Sequence, residues 1–78
     1  MNSIAVTAHW DAESGTWWTD GEDVPGLCCE GRTFEELSEA VFALAPDLLV
    51  ANGAAQQGER VEIVLTAEQR KTIEAAAA

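Results

Sequence analysis

Basic side chains are scarce: four Lys and Arg stand against fourteen Asp and Glu in 78 residues, a formal net charge of −10. A chain this acidic repels phosphate backbones and offers few cations to displace their counterions, which argues against direct nucleic-acid binding. Long apolar runs are missing too. No window approaches the ~18 residues of a membrane span, and no basic start followed by an apolar stretch and a small-residue cleavage site opens the chain. A soluble, cytoplasmic protein is the expectation. The only cysteines, Cys28 and Cys29, are adjacent, so on a strand their side chains point to opposite faces and a bridge between them would be strained. Both are expected to be free thiols. The six glycines fall singly at turns, which leaves no phosphate-cradling loop.

What is present is a folding composition, 47% apolar, in a chain long enough for one domain with one modest core. Ile4, Val6, Ala8 and Trp10 alternate with Ala5, Thr7 and His9, the period-two signature of a strand with one better-buried face. Asp11 to Gly15 is a turn-forming cluster, and the Trp- and Thr-rich run Thr16 to Asp20 completes an antiparallel hairpin. At Val24-Pro25-Gly26, Pro25 fixes the first central position of a turn and Gly26 supplies the positive φ that a type II turn requires at the second. Leu27 to Glu30 reads as a short third strand.

The helix start is explicit. Thr33 can cap the amide of Glu36, while the Glu36 carboxylate can reach back to the amide of Thr33. Phe34, Leu37, Val41, Leu44 and Leu48 recur at spacings of three and four, with Phe42, Ala45 and Leu49 widening the stripe. Pro46 removes a hydrogen bond to the carbonyl of Phe42, which predicts a kink or a break into a second short helix before Asn52-Gly53 ends it. After a polar loop, Val61, Ile63 and Leu65 mark a fourth strand. Thr66 to Gln69 then offers a second capping box ahead of an Ala-rich remainder, a possible short C-terminal helix with almost nothing to anchor it. The expected organisation is one α+β domain over residues 1–66 and an Ala-rich tail or short helix over 67–78. It is a two-layer β-β-β-α-β arrangement in which one long helix covers one face of the sheet.

A single helix leaves the opposite sheet face open, and function is to be sought there. Trp17 and Trp18 are strand neighbours, so at most one can enter the core beneath the helix. The other is a candidate interface anchor, since exposed tryptophan is enriched at contacts with partners. Trp10 and the acidic turn residues Asp20, Glu22 and Asp23 complete the candidate interface set. Pro25, Gly26, Thr33 and Glu36 are structural-motif residues. Catalytic and metal chemistry find little support. His9 near Asp11 has no nucleophile beside it, and His9, Cys28 and Cys29 lack the gap of about two to four residues that turns two thiolates to one zinc. Asp20, Glu22 and Asp23 do not have calcium-loop spacing. No enzyme activity, cofactor or metal is expected.

The Asp23-Val24-Pro25-Gly26-Leu27 turn followed by Gly31-Arg32-Thr33-Phe34-Glu35-Glu36-Leu37 resembles the HicB-like antitoxins, marked by a strand, a Pro-Gly turn, a short strand and a Gly-x-Thr-x-Glu-Glu helix start. Trp10-Asp11 and the Leu44 to Leu49 pattern Leu-x-Pro-x-Leu-Leu bring it nearest the short branch of that group treated as a domain of unknown function. The resemblance spans roughly Ile4 to Leu65. It implies a partial ribonuclease-H-like fold without that fold's catalytic carboxylates. It also implies a protein partner, a small basic HicA-like RNA-cleaving toxin to be neutralised, and association into homodimers or higher homo-oligomers. Full-length antitoxins continue into a DNA-binding segment after the fourth strand. Arg60 to Thr66 resembles half of a ribbon-helix-helix, but Glu62 sits where a DNA reader wants a basic side chain. The leading expectation is thus a non-catalytic antitoxin-type binding domain. A self-associating structural or regulatory module without a toxin is the alternative, and a small enzyme built on His9 and the acidic turn is a distant third.

Overall fold

The computed structural model describes residues 2–76. Its elements run β1 (Asn2–Asp11), β2 (Thr16–Trp18), β3 (Glu30–Gly31), α1 (Phe34–Ala51) and β4 (Val61–Glu68). They form a four-stranded mixed sheet in the order β3-β2-β1-β4 with one helix on it, the α+β arrangement predicted from the sequence. β1 is antiparallel to β2 through His9–Trp18, Trp10–Trp17 and Asp11–Thr16. It is parallel to β4 along its length, from Asn2–Val61 to His9–Glu68. Trp17 and Trp18 pair in turn with Gly31 and Glu30.

The two turns form as their residues dictate. Asp11 organises the first, accepting from the Glu13 amide at 3.1 Å and the Ser14 hydroxyl at 2.9 Å. In the second, the Leu27 amide donates to the Val24 carbonyl at 2.9 Å across Pro25-Gly26, and Gly26 sits at φ +87°. Asn52, the helix C-cap, donates from Nδ2 to the Pro25 carbonyl at 2.9 Å and ties this turn to the end of α1.

The strands that follow each turn are shorter than expected. β2 ends at Trp18 rather than Asp20, and the third strand is Glu30–Gly31 rather than Leu27 to Glu30. Thr19 is the reason. It is 5% exposed, its hydroxyl donates to the Leu27 carbonyl at 2.6 Å and accepts from the Cys29 amide at 2.9 Å, and its own amide donates to the Cys29 carbonyl. A buried side chain thus replaces ladder bonds, and the freed loop turns Val24 and Leu27 into the core at 1% exposure each.

In α1, Thr33 caps the Glu36 amide at 3.0 Å as predicted, but the Glu36 carboxylate accepts from Arg32 N at 2.9 Å, one residue before the expected partner. The buried line is Leu37, Val41, Ala45 and Leu49, strictly four apart, with Val6 and Ala8 of β1 beneath it. Phe34 and Leu48 flank it half-buried. Leu44 and Phe42, expected in the stripe, are 39% and 50% exposed on opposite margins of the helix, because four-residue spacing drifts slowly round the helix and leaves both shoulders outside. Pro46 neither breaks the helix nor ends it. It lies on the exposed shoulder with Phe42, where water can take the orphaned carbonyl.

The second capping box does not form. Thr66, Ala67 and Glu68 extend β4 against Thr7, Ala8 and His9, and residues 69–76 are not helical. β1 offers ladder partners down to His9, whereas a short Ala-rich helix has no packing surface to offset its nucleation cost.

Candidate functional site on the open sheet face

Strand alternation sorts β1 into two sets. Ile4, Val6, Ala8 and Trp10 face α1, and Ser3, Ala5, Thr7, His9 and Asp11 face away. The registers extend that sorting across the sheet. Trp17, opposite Trp10, enters the helix side, with ring centroids 5.2 Å from Trp10 and 5.7 Å, edge-on, from Phe34. Trp18, opposite His9, is on the open side and 37% exposed. The pair splits as the sequence required, and the structure decides which member is which. Trp10, a candidate for the interface, belongs with Trp17 on the covered side.

On the open side the indole of Trp18 lies against His9, with centroids 4.7 Å apart. His9 Nε2 is 3.5 Å from the carboxylate of Asp20, not of Asp11, which is engaged in its own turn. Asp23 accepts from the Thr7 amide at 3.1 Å, occupying a β1 edge donor beyond the point where β2 stops. The exposed Glu22 is held by its amide to Asp20 Oδ1 at 2.9 Å. All three acidic candidates therefore sit in one loop bordering the open face, and two are fixed to β1. On the far side, β4 contributes Glu62, Val64, Thr66 and Glu68 at registers facing Ser3, Ala5, Thr7 and His9. Val64 is 41% exposed, and Ser3 donates to Glu62 at 3.1 Å. The result is an apolar floor of Trp18, Ala5 and Val64 bordered by carboxylates. Sequence reasoning missed the β4 half, because the parallel pairing of the first and last strands has no local signal. Only the alternation around Val64 pointed to it.

The cysteines differ in exposure although neither lies in a strand. Both are free, Cys28 exposed and Cys29 half-buried against the core. Burial pushes the Cys29 thiol up from its ordinary range, and the neighbouring Cys28 adds to this, while the Thr19 hydrogen bond opposes it.

An acidic single-helix α+β domain with one open sheet face is the class these features define. Residues 3–76 match the family described as Domain of unknown function (DUF1902), and the chain belongs to that family. Among solved structures it is similar to hypothetical protein TTHA1013 of the extremely thermophilic bacterium Thermus thermophilus. The two are 38% identical with a TM-score of 0.75, over 92% of this chain and all of that one. No curated protein matches. Among the described residues no helix is long and apolar enough to cross a membrane.

Proposed function

We propose that this domain is a non-catalytic, HicB-like antitoxin-type module that binds and occludes a small basic protein through its open sheet face. The observation that carries the reading is Trp18, 37% exposed on an uncovered sheet and flanked by the fixed acidic loop. A large amphipathic side chain over an apolar floor with a carboxylate border suits a partner that brings apolar contact at the centre and Lys or Arg at the rim. The net charge of −10 favours the same partner at long range and disfavours RNA itself. The helix-start and turn motifs that resemble the HicB-like group agree with it. In this role the domain works by covering a basic surface that its partner needs for RNA.

The test is a pull-down of the tagged protein from its own lysate at low and at about 0.5 M salt, with mass spectrometry of what is retained. Recovery of a small basic protein that Trp18→Ala no longer retains, and whose RNA cleavage the wild-type domain suppresses, is the expected outcome. Recovery of only the chain itself would move the reading to the self-associating module.

A further inference from the structure

β4 is an edge strand of eight residues, and nothing among the described residues pairs with its outer side. Long exposed edges are usually blunted by proline, a bulge or an inward charge. β4 has no proline, its two charges, Glu62 and Glu68, lie on the open side, and its helix-facing positions, Val61, Ile63, Leu65 and Ala67, are all apolar. Beside it lies a groove of about 530 Å³, walled by Phe42, Pro46 and Val50 of α1 and floored by Val61 and Ile63. Phe42 and Val50 are 50% and 45% exposed there. Charge sets this region apart from the rest of the molecule. Three of the four basic residues, Arg60, Arg70 and Lys71, fall between Glu59 and Lys71 and balance Glu59, Glu62 and Glu68, so the seam is neutral in a chain of net charge −10.

We propose that the occupant of this edge is a second copy of the chain, joined by antiparallel β4–β4 pairing about a two-fold axis at Val64. The register follows from charge and pattern. An axis through Val64 sets Ile63 against Leu65 of the second copy and Val61 against Ala67 on the helix side. On the open side it sets Glu62 against Thr66 and Arg60 against Glu68. Every apolar residue meets an apolar one, and the charged pair is of opposite sign. Moving the axis to Leu65 puts Glu62 against Glu68 and Arg60 against Arg70, two like-charge clashes. Moving it to Ile63 sets Val64 against Glu62 and gives Glu68 no basic partner on the second copy. Glu68 already holds Arg70 of its own chain at 2.7 Å, an exposed pair that can exchange at little cost.

The same geometry places residues 69–76. Past Glu68 each chain runs beyond the start of the other copy's β4, toward the loop that forms the mouth of the other groove. The segment is exposed throughout the isolated chain, and its one large apolar side chain, Ile73, is 76% exposed. Seated over the groove of the second copy, Ile73 meets an apolar wall that no other described residue covers. This inference uses the β4 edge, with Val64 at the border of the open face, and the groove on the helix side, and it does not rest on the open face binding a partner.

Sedimentation equilibrium of the full chain between about 5 and 200 µM tests it. A dimer of twice 8.3 kDa is expected. Val64→Lys, at a site 41% exposed in the single chain, puts two ammonium groups against each other on the axis. It should weaken the dimer at least about tenfold with an unchanged far-UV spectrum. Arg60→Glu and Glu68→Arg should each weaken it about three- to tenfold, and the double swap should restore it. Ile73→Asp should weaken it about threefold. A chain that stays monomeric over this range, or a dimer indifferent to Val64→Lys, overturns the β4 seam. Should Val64→Lys alter the far-UV spectrum, the charge swap decides instead. A double swap no better than the worse single substitution overturns the register, and indifference to Ile73→Asp overturns the seating of the segment.

Discussion

Replacing Trp17 and Trp18 one at a time separates the fold from the candidate site. A tryptophan removes about 150–250 Å² from water when buried, worth about 4–6 kcal/mol at ~25 cal/mol per Å². Trp17 is half-buried against Trp10 and Phe34, and a compact unfolded chain already hides part of that area, so the realistic loss for Trp17→Ala is about 3 kcal/mol. Among the described residues Trp18 has one aromatic neighbour, His9, and no helix above it, so Trp18→Ala should cost about 1 kcal/mol, the scale of a cross-strand aromatic pair with modest flank burial. Urea unfolding followed by far-UV circular dichroism is the suitable assay, since tryptophan fluorescence would lose the reporter being tested. For a domain of this size the ~2 kcal/mol difference should separate the melting temperatures by about 8–16 °C. Costs for the two that agree within ~0.5 kcal/mol would refute the division of the sheet into a covered and an open face. In a domain of modest stability Trp17→Ala could unfold the chain outright, and Trp17→Phe against Trp18→Phe keeps the comparison readable.

Further substitutions test the packing element by element. Leu37→Ala, at 0% exposure, should cost about 3 kcal/mol in urea unfolding, whereas Leu44→Ala, at 39% exposure, should cost below about 1 kcal/mol. The reverse order would mean that the helix is rotated on the sheet. Gly31→Ala adds a Cβ 2.6 Å from the Leu37 amide nitrogen and 3.1 Å from the Glu36 carbonyl carbon, backbone atoms of the first turn that cannot swing aside. The gain of ~0.4–1 kcal/mol from a stiffer unfolded chain should lose to an overlap cost of about 1–3 kcal/mol, giving a net destabilisation by urea titration. With a thiol reagent at mildly alkaline pH, exposed Cys28 should react about tenfold faster than Cys29, whose thiolate is disfavoured by burial. Mass mapping of the modified peptide reads this directly, and equal rates would contradict the placement of Cys29 against the core.

Local chemistry made part of this architecture legible. The Pro25-Gly26 turn, the Thr33 cap, the hairpin and the Asn52-Gly53 helix end each depend on residues within a few positions of one another, and each formed. The failures that moved whole elements or faces share the opposite property. Thr19 shortened β2 and delayed β3 through hydrogen bonds to residues eight and ten positions away. Thr66 to Glu68 became strand because β1, more than fifty residues earlier, offered them partners. Leu44 satisfied the spacing of the apolar stripe as well as Val41 did, and only the placement of the helix on the sheet assigned one to the core and the other to the margin. For the site, alternation required that Trp17 and Trp18 part company but could not say which faced out. That depended on the pairing of Trp17 with Trp10, whose face was fixed by Val6 and Ala8 beneath α1.

The two proposed surfaces do not compete, and their geometry links them. Antiparallel pairing of edge strands needs a two-fold axis perpendicular to the sheet, and such an axis keeps the two sides of the sheet distinct. Two copies joined at β4 would therefore carry both helices on one side and both open faces, each with its Trp18 and acidic loop, on the other. The neutral β4 seam would lie between two strongly acidic areas, so the charge that opposes association of the chains is displaced from the line of contact. A basic partner meeting that surface would find two equivalent sites held at fixed separation. For a partner that is itself paired, the second contact becomes intramolecular and the complex tightens without any new interaction. For an 8.3 kDa domain in the proposed role, pairing two open faces would double the surface offered to the partner.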